Sequence, residues 1–224
     1  MFKDVGCVAF DINGTLVEGV YRRWEWVFEV GLGLRRRVNG PGLRWYEVQT
    51  GRLPFEEAVS GSYVVDSEAE WTPGSIQKEA FRVYMEGLQL RKGCLELLDT
   101  LQGQVDLVVC SDTSGVTKVI AREFGLEKYF SQFHYSIDVG WLKSDRGFWK
   151  AFLAGNPGRR PADFVMVGDN PRCDVRWPRI LGLATIQVET TELLSDDSLR
   201  IHDEFDTPDL LVASLDEVAR ALRG

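Results

Sequence analysis

The chain has 224 residues, 44% of them hydrophobic, and a formal net charge of −8. A chain of that length can bury one large core, or a core domain carrying a smaller insert, without disulfide or metal staples. The acidic balance lacks the basic footprint of a nucleic-acid binder, so a small anionic ligand would need a local cationic or metal site.

In chain order, the apolar run Val5 to Phe10 reads as a strand buried on both faces. It leads into Asp11-Ile12-Asn13-Gly14-Thr15-Leu16, where Asn-Gly between apolar stretches is, taken alone, a type I′ hairpin signal. From about Glu18 to Leu90 no buried-strand pattern follows. Gly31, Gly33, Gly40, Pro41, Gly42, Gly51, Pro54 and Pro73 instead punctuate short helical stretches, which predicts a helical insert. Trp24, Trp26, Trp45 and Trp71 could give that insert a small core. Its arginines, Arg22, Arg23, Arg35, Arg36, Arg37 and Arg44, are expected on a solvated face. The alternative is that one or two of them clamp an anionic group remote from the main site. Trp24, Trp26, Trp45 and Tyr46 read as insert core, with stacking on a ligand ring as the alternative.

Beyond the insert, helical and strand patterns alternate. Helical patterns cover Cys94 to Leu101, Val116 to Phe124, Phe148 to Leu153, Arg179 to Leu181 with its preceding turn, and Leu215 to Leu222. Strands are predicted at Val105 to Cys110, Phe164 to Val167, Ala184 to Val188 and Leu210 to Val212, with an acidic surface excursion from Glu189 to Thr207. Such alternation predicts an α/β fold, a parallel sheet sandwiched by helices.

Cys7, Cys94, Cys110 and Cys173 show no CxxC spacing and read as free thiols of a reducing cytosol. No signal-peptide pattern opens the chain and no apolar run reaches the roughly 20 residues of a membrane span, so a cytoplasmic protein with no membrane partner is expected. His134 and His202 lack partners at zinc-ligand spacing. Gly31-Leu32-Gly33 fails as a dinucleotide fingerprint, and neither a Gly-x-Ser-x-Gly elbow nor a Walker loop occurs.

In an open parallel sheet, ligands bind beyond the carboxyl ends of the strands. The residues there are Asp11, then Ser111 and Asp112, then Lys143, then Gly168-Asp169-Asn170 with Asp174 following. Each has a plain reading alone: Ser111-Asp112 as a helix cap, Lys143 as a solvated lysine, Gly168-Asp169-Asn170 as a turn. Together they place acids, a hydroxyl and a lysine at successive strand ends, a set suited to phosphoryl chemistry.

These segments resemble the four motifs of the haloacid dehalogenase superfamily of phosphotransferases and phosphatases, on Asp11-Ile-Asn-Gly-Thr-Leu, Ser111, Lys143 and Gly168-Asp169-Asn-Pro-Arg-Cys-Asp174. The resemblance implies a Rossmann-like core from residues 1–17 and 89–224 with a helical cap domain at 18–88. It implies Asp11 as a nucleophile toward phosphorus and Mg²⁺ held by Asp11, Asp169 and the backbone carbonyl of Asn13. Ser111 and Lys143 would bind the transferring phosphate, with Thr15 and Asp112 beside them, and Asp174 would orient Lys143 or a metal-bound water. The stretch Gln49 to Ala58 resembles a cap segment of phosphoserine phosphatase-like relatives.

At one position the chain departs from the phosphatase pattern. An Asp two residues after the nucleophile protonates the leaving alcohol and then activates water, whereas Asn13 cannot transfer a proton. Loss of such assistance is worth about 10²–10⁴-fold. The chain is therefore expected to be a Mg²⁺-dependent hydrolase of a small phosphorylated metabolite, slowed or specialised for activated phosphates. Alternatives are a protein that holds its phosphoryl-aspartate, and a relative kept for binding or regulation. A metal-free 2-haloacid dehalogenase is disfavoured by Asp169, the metal-binding acid of the pattern.

Overall fold

The computed structural model describes residues 2, 5–19, 24–64, 73–115, 117–190 and 203–223. Arg22, Arg23, Trp71, His202 and most of the acidic stretch after Thr190 lie outside them.

The first apolar run forms β1 (Cys7–Phe10), all four residues buried. The chain leaves the core through β2 (Val17–Gly19) into α1 (Trp24–Trp26), which continues as a π-helical turn over Val27–Gly31. Then come β3 (Arg35–Arg36), α2 (Trp45–Gln49), α3 (Phe55–Ser62), β4 (Tyr63–Val64) and α4 (Pro73–Met85). It returns through β5 (Leu88–Leu90), antiparallel to β2, so two paired strands connect the inserted helices to the core.

The rest runs α5 (Cys94–Leu101), β6 (Asp106–Ser111), α6 (Ile120–Glu123), β7 (Gln132–Tyr135), α7 (Ser136–Val139) and α8 (Arg146–Ala154). It ends β8 (Phe164–Gly168), a π-helical turn at Pro171–Val175, α9 (Arg176–Leu181), β9 (Ala184–Val188), β10 (Leu210–Val212) and α10 (Leu215–Arg223). Six strands form one parallel sheet in the order β10-β9-β8-β1-β6-β7. The fold is thus the expected Rossmann-like α/β sandwich.

Strand alternation explains why the runs are apolar throughout. Val8 and Phe10 face one layer with Leu97 and Leu98 of α5 and Leu215 and Val218 of α10, while Cys7 and Ala9 face Phe148, Trp149 and Phe152 of α8. Every position of a central strand then removes apolar surface from water. Among the described residues no helix is long and apolar enough to cross a membrane.

Three expectations need correction. β7 escapes the strand pattern because Gln132-Phe133-His134-Tyr135 mixes polar with aromatic residues: Gln132 is half-buried at the sheet's edge, and His134 is buried with its Nε2 beside the Phe148 carbonyl. Among the described residues the inserted region and its connectors hold four short strands, each of two or three residues, too short for a period-2 pattern to register. Of the tryptophans proposed for its core, Trp24 is buried, stacked on Tyr84 at 4.7 Å and edge-on to Trp45 at 5.5 Å and Phe55 at 5.6 Å. Trp26 instead stands 38% exposed, as does Tyr46. Arg35, Arg36, Arg37 and Arg44 are exposed, as the solvated-face reading expects; Arg37 donates to the Ser60 carbonyl and Arg44 pairs with Glu47.

Candidate active site

The carboxyl ends of β1, β6 and β8 lie side by side at the centre of the sheet, so the residues following them converge. A cleft of about 230 Å³ is lined there by Asp11, Asn13, Gly14, Ser111, Asp112, Lys143, Asp169, Asn170 and Cys173. Asp11, Asn13, Ser111, Asp112, Lys143 and Asp169, separated by up to 158 residues in sequence, therefore share one cavity. Thr15 stands behind it, its hydroxyl 3.4 Å from an Asp169 oxygen.

The first loop is shaped by Gly14, not by a hairpin. A type I′ turn needs positive φ at both central residues, but Gly14 alone takes it, at +81°. β1 and β2 do not pair; the amides of Thr15, Leu16 and Val17 all turn back to the Ile12 carbonyl. A Cβ built on Gly14 would lie 2.2 Å from Asp169 Oδ2, so only glycine lets this backbone lie against that carboxylate. Gly168 plays a similar part beneath Asp174, where an added Cβ would meet the carboxyl carbon at 2.2 Å.

Lys143 is buried, not solvated. Its ammonium lies 2.8 Å from Asp11 Oδ1 and 2.7 Å from Asp174 Oδ1. The contact to Asp11 is one of charge, since that oxygen accepts no aligned hydrogen bond, whereas Asp174 accepts one from Lys143 Nζ. The other Asp174 oxygen accepts the Asn170 amide at 3.0 Å. Asp112 does not cap the helix after β6: its Oδ1 accepts the Lys143 backbone amide at 2.7 Å and fixes the lysine's loop. Trp149 Nε1 donates to the Lys143 carbonyl and Trp177 Nε1 to that of Ser144, at 2.8 and 2.6 Å. Asn170 caps the π-helical turn by accepting the amides of Arg172 and Cys173.

Burial would lower the Lys143 pKa, but Asp11, Asp174 and Asp112 outweigh it and hold the ammonium well above its ordinary value, so it stays charged. Burial pushes Asp169 well up, and the charges of Asp11 and Asp174 add to this. Asp174 rises to about 6, first through burial and with Lys143 opposing. Asp112 rises to about 7 for the same leading reason. Carboxylate oxygens of Asp11, Asp169 and Asp174 lie within 4.8 Å of one another. Three hard oxygen donors crowded together, with the Asp169 and Asp174 pKa values pushed up, form a site that a small divalent cation would relieve. Asn13 Oδ1 is buried and accepts no hydrogen bond.

His134 does not take part. It is buried, its Nε2 3.1 Å from the Phe148 carbonyl, and its pKa is lowered by burial. The cysteines are free; burial raises the Cys173 thiol pKa well above its ordinary value, although the residue lines the cleft.

Several residues that shape the site carried no sequence signal. Trp149 and Trp177 lie in or beside predicted helices, and the partners of their indole N–H groups are set by packing alone. Gln187 of β9, which donates to the Asp169 carbonyl at 3.3 Å, lies inside an apolar run. Arg91 sits between β5, which the sequence does not mark, and α5.

A model of haloacid dehalogenase-like hydrolases matches residues 5–177. YfnB of Bacillus subtilis strain 168 is 23% identical over 145 residues, 63% of this chain and 62% of YfnB. A phosphoserine phosphatase of Thermus thermophilus is 37% identical over 94 residues, 42% of this chain and 34% of that enzyme. The matched segments thus span less than two thirds of both curated relatives. Among solved structures, magnesium-bound YfnB superposes with a TM-score of 0.64 at 19% identity, covering 99% of this chain and all of that one. A Bacteroides thetaiotaomicron enzyme of the same family, in complex with magnesium and inorganic phosphate, gives 0.63 at 15% identity over 85% of this chain and 97% of its own.

Proposed function

Because this chain belongs to the haloacid dehalogenase-like hydrolases, we propose that its cleft performs divalent-cation-dependent hydrolysis of a small phosphorylated metabolite. The observation that carries the reading is the buried Lys143 ammonium held between Asp11 and Asp174, with the Asp169 carboxyl beside them. A fixed positive charge next to a nucleophile that lines the cleft and an acidic cation site is what transfer of a phosphoryl group requires. The magnesium in the two solved relatives supports Mg²⁺ as the ion.

Asp11, Asp169 and the Asn13 carbonyl would hold the ion, with Asp174 within reach. Bound there, Mg²⁺ would offset the repulsion between carboxylates and phosphate and polarise the phosphoryl oxygens. Asp11 forms a bond to phosphorus as the ester bond to the leaving oxygen breaks, giving an aspartyl phosphate on Asp11. Lys143 and the Ser111 hydroxyl neutralise and orient the transferring oxygens, and Thr15 and Asp112 hold the loops that present them. Water then attacks the acyl phosphate, releasing inorganic phosphate and restoring the Asp11 carboxylate.

Asn13 supplies no proton to the leaving oxygen, so substrates whose leaving groups need little protonation are favoured. The inserted region, residues 18–88, serves as the cap that selects the substrate. Asn13 is also the observation that favours the rival reading, binding of phosphate and metal without turnover. Both are tested with acetyl phosphate, p-nitrophenyl phosphate and ordinary sugar and amino-acid phosphates, with Mg²⁺ and with EDTA. Metal-dependent turnover confined to the good leaving groups, and lost in Asp11→Ala, supports the enzyme. Silence across the panel with Mg²⁺ still bound supports the rival.

A further inference from the structure

Arg91 follows β5, where the chain re-enters the core from the inserted helices, and its side chain is only 9% exposed. Its guanidinium reaches three segments. Nη1 donates to the Gly14 carbonyl at 2.9 Å, Nη2 donates to the Glu189 carbonyl, and Nε lies 3.5 Å from a Glu18 carboxylate oxygen. The Arg91 amide adds a bond to the Leu16 carbonyl at 2.9 Å. These contacts lie on three sides of the cleft's supports. Gly14 belongs to the loop that carries Asp11 and Asn13, and its backbone rests on Asp169. Glu189 directly follows β9, two residues after Gln187, which holds the Asp169 carbonyl. Glu18 lies on β2, half of the connector to the inserted helices.

We infer that Arg91 is a positioning residue: it fixes the distance between the Asp11–Gly14 loop and Asp169, and through Glu18 links that distance to the connector strands. The inference rests on the reading of Asp11 and Asp169 as nucleophile and cation ligand. Arginine suits the task because its planar fork bonds two carbonyls on different segments at fixed separation, whereas a lysine ammonium is a single point charge on a flexible stem. Residues standing behind metal ligands typically tune affinity by about 10–100-fold. Buried carbonyls left without a donor would also let the loop shift toward water.

The test compares Arg91→Lys and Arg91→Gln with Arg176→Lys, which alters a paired arginine that touches neither Gly14 nor Glu189. Three readouts are taken on the intact chain: deuterium uptake of residues 11–19 without metal, Mn²⁺ affinity by paramagnetic titration, and kcat and KM on acetyl phosphate at saturating Mg²⁺. For Arg91→Lys the expected result is a wild-type near-UV spectrum, faster uptake in that peptide, Mn²⁺ affinity at least tenfold weaker, and reduced kcat with KM nearly unchanged. Arg176→Lys leaves all three as in wild type. Mn²⁺ affinity within twofold of wild type together with unchanged uptake would overturn the inference. So would global unfolding of both Arg91 variants, which would assign the residue to the fold alone. If wild type binds Mn²⁺ but hydrolyses no phosphate, the phosphatase reading fails while uptake and affinity still decide the role of Arg91.

Discussion

Asn13→Asp puts a carboxyl where the phosphatase pattern has its proton-transfer group. The substitution conserves volume, and Asn13 Oδ1 accepts no hydrogen bond, so the oxygen that is kept loses no partner. The new carboxyl would share its cleft with Asp11, Asp112 and Asp169. Burial and like charges raise a carboxyl pKa, as they already do for Asp169, so the introduced group's pKa is expected above its ordinary value, which favours the form that can donate. A positioned acid is worth about 10²–10⁴-fold, or roughly 3–5 kcal/mol of barrier at 1.36 kcal/mol per tenfold. For an alkyl phosphate, whose leaving oxygen needs its proton, the gain in kcat/KM should be at least about 10². For acetyl phosphate it should stay below about tenfold, since that leaving group departs unprotonated. The assay is initial-rate phosphate release from both substrates across pH 5–9, with Mn²⁺ affinity measured in parallel. The alkyl phosphate rate should fall at high pH as the acid is lost. Equal gains on the two substrates, or none with metal affinity retained, would refute the assignment of position 13 to proton transfer.

Three further outcomes follow from the same geometry. In the metal-free protein the Asp112 pKa is raised from 3.8 to about 7, so the folded state binds the extra proton and its stability falls as pH rises from about 4 to 7. The gap sets a ceiling of about 4 kcal/mol; Asp112→Asn, whose carbonyl can still accept the Lys143 amide, should flatten that slope in thermal melts at pH 4.5 and 8. Gly14→Ala drives a methyl to 2.2 Å from the Asp169 carboxylate at a backbone φ of +81°, so calorimetry should find Mg²⁺ binding at least about tenfold weaker, with turnover lost. Trp24→Ala empties the centre of the aromatic cluster and should cost about 3–5 kcal/mol in denaturant unfolding, monitored in the inserted helices.

β1, β6 and β8, at the centre of the sheet, were legible because strands buried on both faces are apolar at nearly every position; β9 and β10 were legible from their aliphatic residues, although Thr185 and Gln187 interrupt β9 and Leu211 of the edge strand β10 is half exposed. β7 was not, because Gln132 and His134 break its apolar run, the buried His134 being satisfied by the Phe148 carbonyl of another element. Asp11, Ser111, Asp112 and Asp169 were legible through their order, since each ends or follows an apolar run and a parallel sheet brings such ends to one edge; Lys143, in the loop between α7 and α8, is not at a strand end and is brought to the cleft by packing. What each residue does locally was not. Asn13-Gly14 as a hairpin, Asp112 as a cap and Lys143 as a solvated lysine are sound from neighbours in sequence. They fail because the partners that decide them, Asp169, the Lys143 amide and the Asp11–Asp174 pair, arrive from other strands.

The sequence by itself therefore determined the α/β class and the order of the candidate side chains along the chain, since period and order are one-dimensional properties. Only the tertiary structure decided the protonation, burial and spacing of those side chains. It alone brought Arg91 against Gly14 and Glu189, because a guanidinium's partners 77 and 98 residues away are chosen by packing and leave no local trace.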